Sequence, residues 1–140
     1  MSMTKTEKPV IYQKTTLGVT ITVTPHFLEE QSSDDERLYV WAYIVRIEND
    51  SSQEIKLIDR HWEITDDTGF TQMVDGKGVI GEQPIIESGN SYEYASGAPL
   101  STPSGMMVGY YTMKLKDGTF LKVAIPAFSL DSDFMKKILN

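Results

Sequence analysis

The chain has 140 residues, with 13 basic and 20 acidic side chains, a net charge of −7 and no cysteine. This length is typical of one domain with its own core, the acidic balance disfavours nucleic acid as a direct ligand, and the lack of cysteine excludes disulfides, thiolate metal sites and cysteine nucleophiles. We find neither the apolar core of a signal peptide nor a run of about 18 apolar residues, so we expect a cytoplasmic protein that does not insert into membranes.

From Thr16 onward, apolar and polar residues alternate, which is the period of β-strands. A first strand carries Val19, Ile21 and Val23 on one face and is predicted to end at Pro25. The second strand places five large apolar side chains on one face, which we expect to be core: Tyr39, Trp41, Tyr43, Val45 and Ile47.

A third strand follows the turn at Asn49-Asp-Ser-Ser52. Strict alternation places Ile58, Arg60, Trp62 and Ile64 on its inward face and the polar residues Asp59, His61, Glu63 and Thr65 on its outward face. A short strand is predicted around residues 70–74, and a later one contains Tyr92 and Tyr94.

Residues 96–104, with one glycine and two prolines, are predicted to form a long loop. The next strand should present an inward face made of Met107, Gly109, Tyr111, Met113 and Leu115. Asp117-Gly118 is typical of a type I′ hairpin turn, and Pro126 should either end the last strand or confine it to a sheet edge.

These short strands predict an all-β protein, an immunoglobulin-like or fibronectin type III-like antiparallel β-sandwich of about seven strands. We expect residues 1–15 to be a flexible tail and residues 16–130 to form the domain. Residues 131–140 carry apolar side chains at helical spacing and predict a short C-terminal helix: Phe134, Met135, Ile138 and Leu139.

Several motifs in this order resemble the ApaG family, and the resemblance covers about residues 16–130. They are Tyr39-Val-Trp-Ala-Tyr43, Arg60-His-Trp-Glu-Ile-Thr-Asp66, Val74-x-Gly-x-Gly-Val-x-Gly-Glu-x-Pro84, Tyr94-x-Ser-Gly97, Thr102-Pro-x-Gly-x-Met107-x-Gly-x-Tyr-x-Met113 and Ile125-Pro-x-Phe128. The resemblance implies a fibronectin type III-like sandwich and, through similar domains in eukaryotic F-box and polymerase-interacting proteins, protein binding. It also implies a link to cobalt and magnesium resistance, but no catalytic residues. Because the chain has no ion-conducting segment, that link would have to act through a partner.

Gly76, Gly78 and Gly81 fit the spacing of a dinucleotide fingerprint, G-x-G-x-x-G. That fingerprint requires a helix that leaves the glycines, and Pro84 followed by two β-branched residues prevents one. We therefore expect a loop or bulge between strands that binds no NAD or FAD.

Two interpretations of this glycine run remain open. Its glycines supply positive φ or close backbone approach, or its amides and Lys77 form a small nest for a phosphate or a partner's carboxylate. Glu82, next to the last glycine, opposes a strong phosphate site.

Arg60 points toward the core by alternation and therefore needs an acceptor. We favour a structural lock, in which Arg60 pairs with Glu82 or with carbonyls of the glycine run, over a site that waits for an anion. A ligand, if one binds, is expected at this arginine.

No metal site, cofactor or catalytic group is predicted. His26 and His61 are the only histidines, and they lack the spacing of metal ligands. The acidic runs at residues 34–36 and 66–67 are typical of solvated loops.

The outward side of the second strand carries an unusual apolar row: Leu38, Val40, Ala42 and Ile44. Either the C-terminal helix or another chain should cover it, with a homodimer as one option. The sequence therefore predicts a non-enzymatic binding module with a protein partner. The alternative is a protein that binds phosphate or nucleotides and acts on dinucleoside polyphosphates through Arg60, Lys77 and the loop amides.

Overall fold

A computed structural model describes residues 10–132. Strands joined by turns and short connections make up this range, together with one 3-10 turn at Glu29–Gln31. The nine strands in this range are β1 (Tyr12–Thr16), β2 (Val19–Phe27), β3 (Tyr39–Asn49), β4 (Ile55–Asp66), β5 (Thr71–Lys77), β6 (Ile85–Ile86), β7 (Ser91–Leu100), β8 (Ser104–Leu115) and β9 (Phe120–Asp131).

The strands form two antiparallel sheets, which confirms the predicted sandwich. The first sheet has the order β1-β2-β3-β7, and the second has the order β5-β4-β8-β9, with β6 paired to β4 beyond the end of β5. Because β9 lies beside β1 and β2, the sheets meet along that side. The edge strands β5 and β7 consequently border the opposite side of the sandwich.

The core lies between the inward faces of both sheets, and the inward row predicted for the second strand is confirmed. Its five side chains in β3 are between 0% and 5% exposed. They meet Trp62 of β4 and Tyr111 of β8, both buried, from the other sheet. Side chains at every second position therefore specify this core, as the alternating pattern requires.

The first sheet begins earlier than the sequence indicates. β1 occupies part of the segment expected to be a flexible tail, where Tyr12 packs its ring 6.0 Å from that of Phe128. β2 continues through Pro25, because β1 pairs only as far as Val23 and Pro25 faces no strand of the described chain on that side. A proline without an N–H is tolerated at such a place.

The predicted loop at residues 96–104 is wrong, because β7 extends to Leu100 and pairs with β3 over its whole length. Only residues 101–103 form the connection to β8. Gly97 and Pro99, which suggested a loop, are compatible with β7 because it is an edge strand.

The last strand also runs further than the sequence suggests. β9 continues through Pro126, which lies at a register shift opposite Met107 and Gly109 on the edge of the second sheet. The preceding hairpin forms, but only Gly118 has a positive φ, of 92°. Its N–H donates to Leu115 O at 3.0 Å, so this is a type I turn with a left-handed glycine rather than a type I′ turn.

The predicted C-terminal helix lies mostly outside the described residues. Its first expected residue, Asp131, is the last residue of β9. Between residues 10 and 132, no helix has the length and hydrophobicity required to cross a membrane.

Candidate functional site

A β-bulge in β4 determines how the glycine run is attached. The register against β8 shifts between Leu57 and Asp59, so Ile58 is the extra residue and does not continue the inward row of Trp62. The carbonyl of Ile58 accepts the N–H of Gly78 at 2.7 Å and the side-chain amide of Gln83 at 3.0 Å. The bulge therefore anchors the loop between β5 and β6.

The glycine run forms a tight hairpin rather than the start of a helix. Val79 and Glu82 exchange two backbone hydrogen bonds of 2.8 and 2.9 Å around Ile80 and Gly81, whose φ angles are 44° and 79°. Two positive φ angles are the mark of a type I′ turn. Gly78 also has a positive φ, of 58°, and a Cβ there would lie 1.9 Å from Glu82 O.

Arg60 crosses β5 to reach this loop. Its Nη1 donates to Lys77 O at 3.1 Å and to Gly78 O at 2.8 Å. Arg60 pairs with Gly76, where a Cβ would lie 2.7 Å from the guanidinium carbon, so the glycine leaves the space that the guanidinium fills. Glu82 is engaged elsewhere, since its carboxylate accepts the hydroxyl of Tyr92 at 3.0 Å.

On the side of the sandwich that is bordered by β5 and β7, Arg60 lines a cavity of about 300 Å³, which we call the mouth cavity. The guanidinium nitrogens Nε and Nη2 donate to no acceptor within residues 10–132. The mouth cavity lies between the loop and the edge strand β7, and its lining consists of Tyr43, Arg60, Lys77, Val79, Ile80, Gly81, Tyr94 and Ser96.

Two buried tyrosines, Tyr43 and Tyr94, line the mouth cavity. Burial raises the pKa of Tyr43 and of Tyr94, and the nearby guanidinium of Arg60 opposes the shift in both. The hydroxyls of Tyr94 and Tyr111 lie 2.5 Å apart. A permanent cation beside neutral hydroxyls is suited to binding an anionic group.

A second groove, of about 400 Å³, lies on the outer face of the second sheet, and Arg60 and Lys77 line it as well as the mouth cavity. Here His61 Nδ1 lies 2.6 Å from a carboxylate oxygen of Asp75, and Nε2 lies 3.0 Å from one of Glu63. The imidazole stacks on Tyr110 with ring centroids 4.8 Å apart. The hydrogen bond to Asp75, followed by that to Glu63, raises the pKa of His61.

We expect this cluster to make stability depend on pH. Because the folded-state pKa of His61 is raised, its contribution is fully present below the unfolded value of about 6.5 and is lost as pH rises through the folded value. His61→Gln should remove that pH-dependent part, and Asp75→Asn should lower the pKa of His61. An NMR titration of the imidazole checks this, and a midpoint at or below about 6.5 in the wild type would contradict it.

The structure does not bring the two histidines together. His26 lies in β2 of the first sheet, and His61 lies in β4 of the second. Within residues 10–132 no three His, Asp or Glu side chains are grouped so that they could hold a metal ion.

The apolar row of β3 is half-buried among its neighbours on the same sheet face. Val40, Ala42 and Ile44 pair with Pro99, Gly97 and Ala95 of β7, and Leu38 is 37% exposed. The outer face of the second sheet exposes apolar side chains that the sequence analysis did not identify: Met73 and Val108, which pair with Glu63, and Met106, which pairs with Thr65. The alternation of inward and outward positions along β5 and β8 was the sequence signal that could have identified these exposed side chains.

The comparisons with known proteins agree with one another. The sequence model of the ApaG domain matches residues 29–115. Protein ApaG of Paramagnetospirillum magneticum is 52% identical over 130 residues, which cover 93% of this chain and 100% of that protein. Protein ApaG of Agrobacterium fabrum is 49% identical with the same coverage.

Solved structures support the same relationship. The putative ApaA protein from Bordetella pertussis superimposes with a TM-score of 0.79 at 41% identity, over 89% of this chain and 98% of that one. The C-terminal domain of Wzt, with a TM-score of 0.52 and 11% identity, shares the fold alone. The family model spans most of the chain, and the relatives match over their full length. This chain therefore belongs to the ApaG family.

Proposed function

We propose that the protein is a non-enzymatic binding module that holds a protein partner by a carboxylate at the mouth cavity. The observation that carries this proposal is the state of Arg60. One guanidinium nitrogen fixes the side chain to the loop, while Nε and Nη2 have no acceptor among residues 10–132 beside an open cavity. Such a preorganised fork matches the two oxygens of a carboxylate.

A partner's carboxylate fits this site better than a phosphate chain does. The amides of Gly78, Val79 and Glu82 donate to carbonyls of the protein itself, which leaves fewer N–H groups of this loop for a phosphate chain. The mouth cavity, at about 300 Å³, is also at the small end of the roughly 300–1,000 Å³ typical of ligand pockets.

A second candidate is a protein that binds phosphate or nucleotides and acts on dinucleoside polyphosphates. Its support is the pair of cationic residues, Arg60 and Lys77, in one cavity. Any implied role in cobalt and magnesium homeostasis enters our proposal only through the partner, with no ion bound by this chain.

The two candidates differ in a thermal-shift experiment. Inorganic phosphate, pyrophosphate and diadenosine tetraphosphate, each with and without Mg²⁺ or Co²⁺, should leave the melting temperature unchanged if the site serves a protein. A nucleotide site would give stabilisation of about 2.7 kcal/mol when the ligand reaches 100 times its dissociation constant. Stabilisation that Arg60→Gln abolishes would favour the second candidate.

The partner itself can be sought by affinity capture with quantitative mass spectrometry. Arg60→Gln should reduce retention of the captured partner at least tenfold. Arg46→Gln is the matched control, because Arg46 lies on β3 with 49% of its side chain exposed and only a 3.7 Å ion pair to Glu48. Equal retention by all three proteins would reject the mouth cavity as the contact site.

A further inference from the structure

We infer that an extended segment of the partner pairs with the edge of β7 and inserts one acidic side chain into the mouth cavity. This inference rests on the proposed function and specifies how the partner is recognised. The occupant is a peptide strand that carries an aspartate or a glutamate at one fixed position.

The first observation is the free edge of β7. Within residues 10–132, β7 pairs with β3 on one side and with no strand on the other. An edge strand presents unpaired N–H and C=O groups, and an added strand can use them. Glu93 and Pro99, which are residue types that discourage strand addition, lie toward the two ends of β7.

The part of the chain that the structure describes, residues 10–132, leaves the centre of this edge unobstructed. Ala95 and Gly97 are exposed and small, and residues 95–98 carry no charge. A strand could therefore approach the backbone here without displacing a long side chain.

The second observation is that β7 forms a wall of the mouth cavity. Its inward residues Tyr94 and Ser96 line the cavity opposite Arg60. Residues paired across neighbouring strands project to the same face, so a peptide residue opposite Ser96 would direct its side chain toward the cavity. A peptide strand that pairs with β7 can therefore place one side chain in the mouth cavity at the same time.

The third observation is charge. The protein has a net charge of −7, yet Arg60 and Lys77 both line the mouth cavity. The net negative charge of the protein repels acidic peptides in general. The two cations attract a carboxylate locally, so an acidic side chain is favoured only at the mouth cavity. We therefore expect the bound peptide to need one carboxylate at a fixed position, and not an acidic sequence throughout.

The first arm of the test is a phage-displayed library of random nine-residue peptides, selected on the full chain. Enriched peptides should share Asp or Glu at one position, with β-branched or aromatic residues at alternate positions. Changing that acid to its amide, or Arg60 to Gln, should weaken binding at least tenfold, while Arg46→Gln should not. No enrichment over the Arg60→Gln protein, or full affinity of the amide peptide, would overturn the inference.

The second arm tests strand pairing without altering the protein. N-methylation of each backbone nitrogen of the best peptide in turn should reduce affinity at least tenfold at alternate positions, since every second N–H faces β7. Within β7, the amides of residues 95–98 should show the largest NMR shifts. An aperiodic scan, or shifts confined to another surface, would contradict strand addition.

Affinity capture of the partner and the N-methyl scan together separate this inference from the proposed function. If capture of the partner depends on Arg60 but the N-methyl scan is aperiodic, strand addition fails and the binding module stands. If capture is independent of Arg60, the proposed function fails as well.

Discussion

Replacing Arg60 with alanine is expected to lower the free energy of unfolding by about 2–4 kcal/mol. The change removes the donor for Lys77 O and Gly78 O, and with it one of the attachments of the loop to β4. Arg60→Lys should recover only part of the loss, because an ammonium does not reproduce a planar fork. Urea unfolding measures both, and a cost below about 0.5 kcal/mol for alanine would show that Arg60 does not hold the loop.

Glu82 provides a control for this prediction. Its carboxylate accepts from Tyr92 rather than from Arg60. Glu82→Ala and Arg60→Ala should therefore be additive within about 0.5 kcal/mol in a double-mutant cycle. A larger coupling would indicate a direct contact between the two side chains and contradict this geometry.

Replacing Gly76 with alanine is expected to lower the free energy of unfolding by about 1–3 kcal/mol through the same contact. The added Cβ would lie 2.7 Å from the guanidinium carbon, so Arg60 must leave the carbonyls that it holds. In an Arg60→Ala background the same change should cost little, which gives a coupling of about 1 kcal/mol or more.

The matched control for Gly76 is Gly81→Ala. A Cβ at Gly81 meets nothing within 4 Å, and its cost arises only from the positive φ of 79°. Gly81→Ala should therefore be additive with Arg60→Ala. If Gly76→Ala and Arg60→Ala are also additive, the guanidinium does not occupy the space beside Gly76.

The sequence was sufficient for the fold class because the information is local. Alternation places Tyr39, Trp41 and Tyr43 on one face, and the same three side chains are buried in β3. Such patterns depend on the two-residue period of a strand and need no knowledge of its partners.

Strand lengths and register depend on partners that lie far apart in sequence. Pro25 and Pro126 were expected to limit strands, but each lies where the missing N–H is not required by a neighbour. The bulge at Ile58 arises from pairing with β8, so strict alternation across residues 57–60 was bound to fail.

The candidate site could be predicted only in part. Arg60 and Lys77 were accessible from the alternation and the glycine run, and the structure places both at the mouth cavity. Tyr43, Tyr94 and Ser96 were not, because they reach the mouth cavity through the pairing of β3 with β7. The role of Gly76 also depends on a cross-strand neighbour, Arg60, which no local motif indicates.

The central claim is that the mouth cavity is the surface that holds a partner. The most direct test is an NMR titration of ¹⁵N-labelled protein with the partner recovered by affinity capture. We predict the largest shifts at the Arg60 side chain and at the amides of Gly81 and Ser96. In Arg60→Gln, the amides of Gly81 and Ser96 should not shift. Shifts confined to the outer faces of the two sheets, with Arg60 unchanged, would contradict the claim.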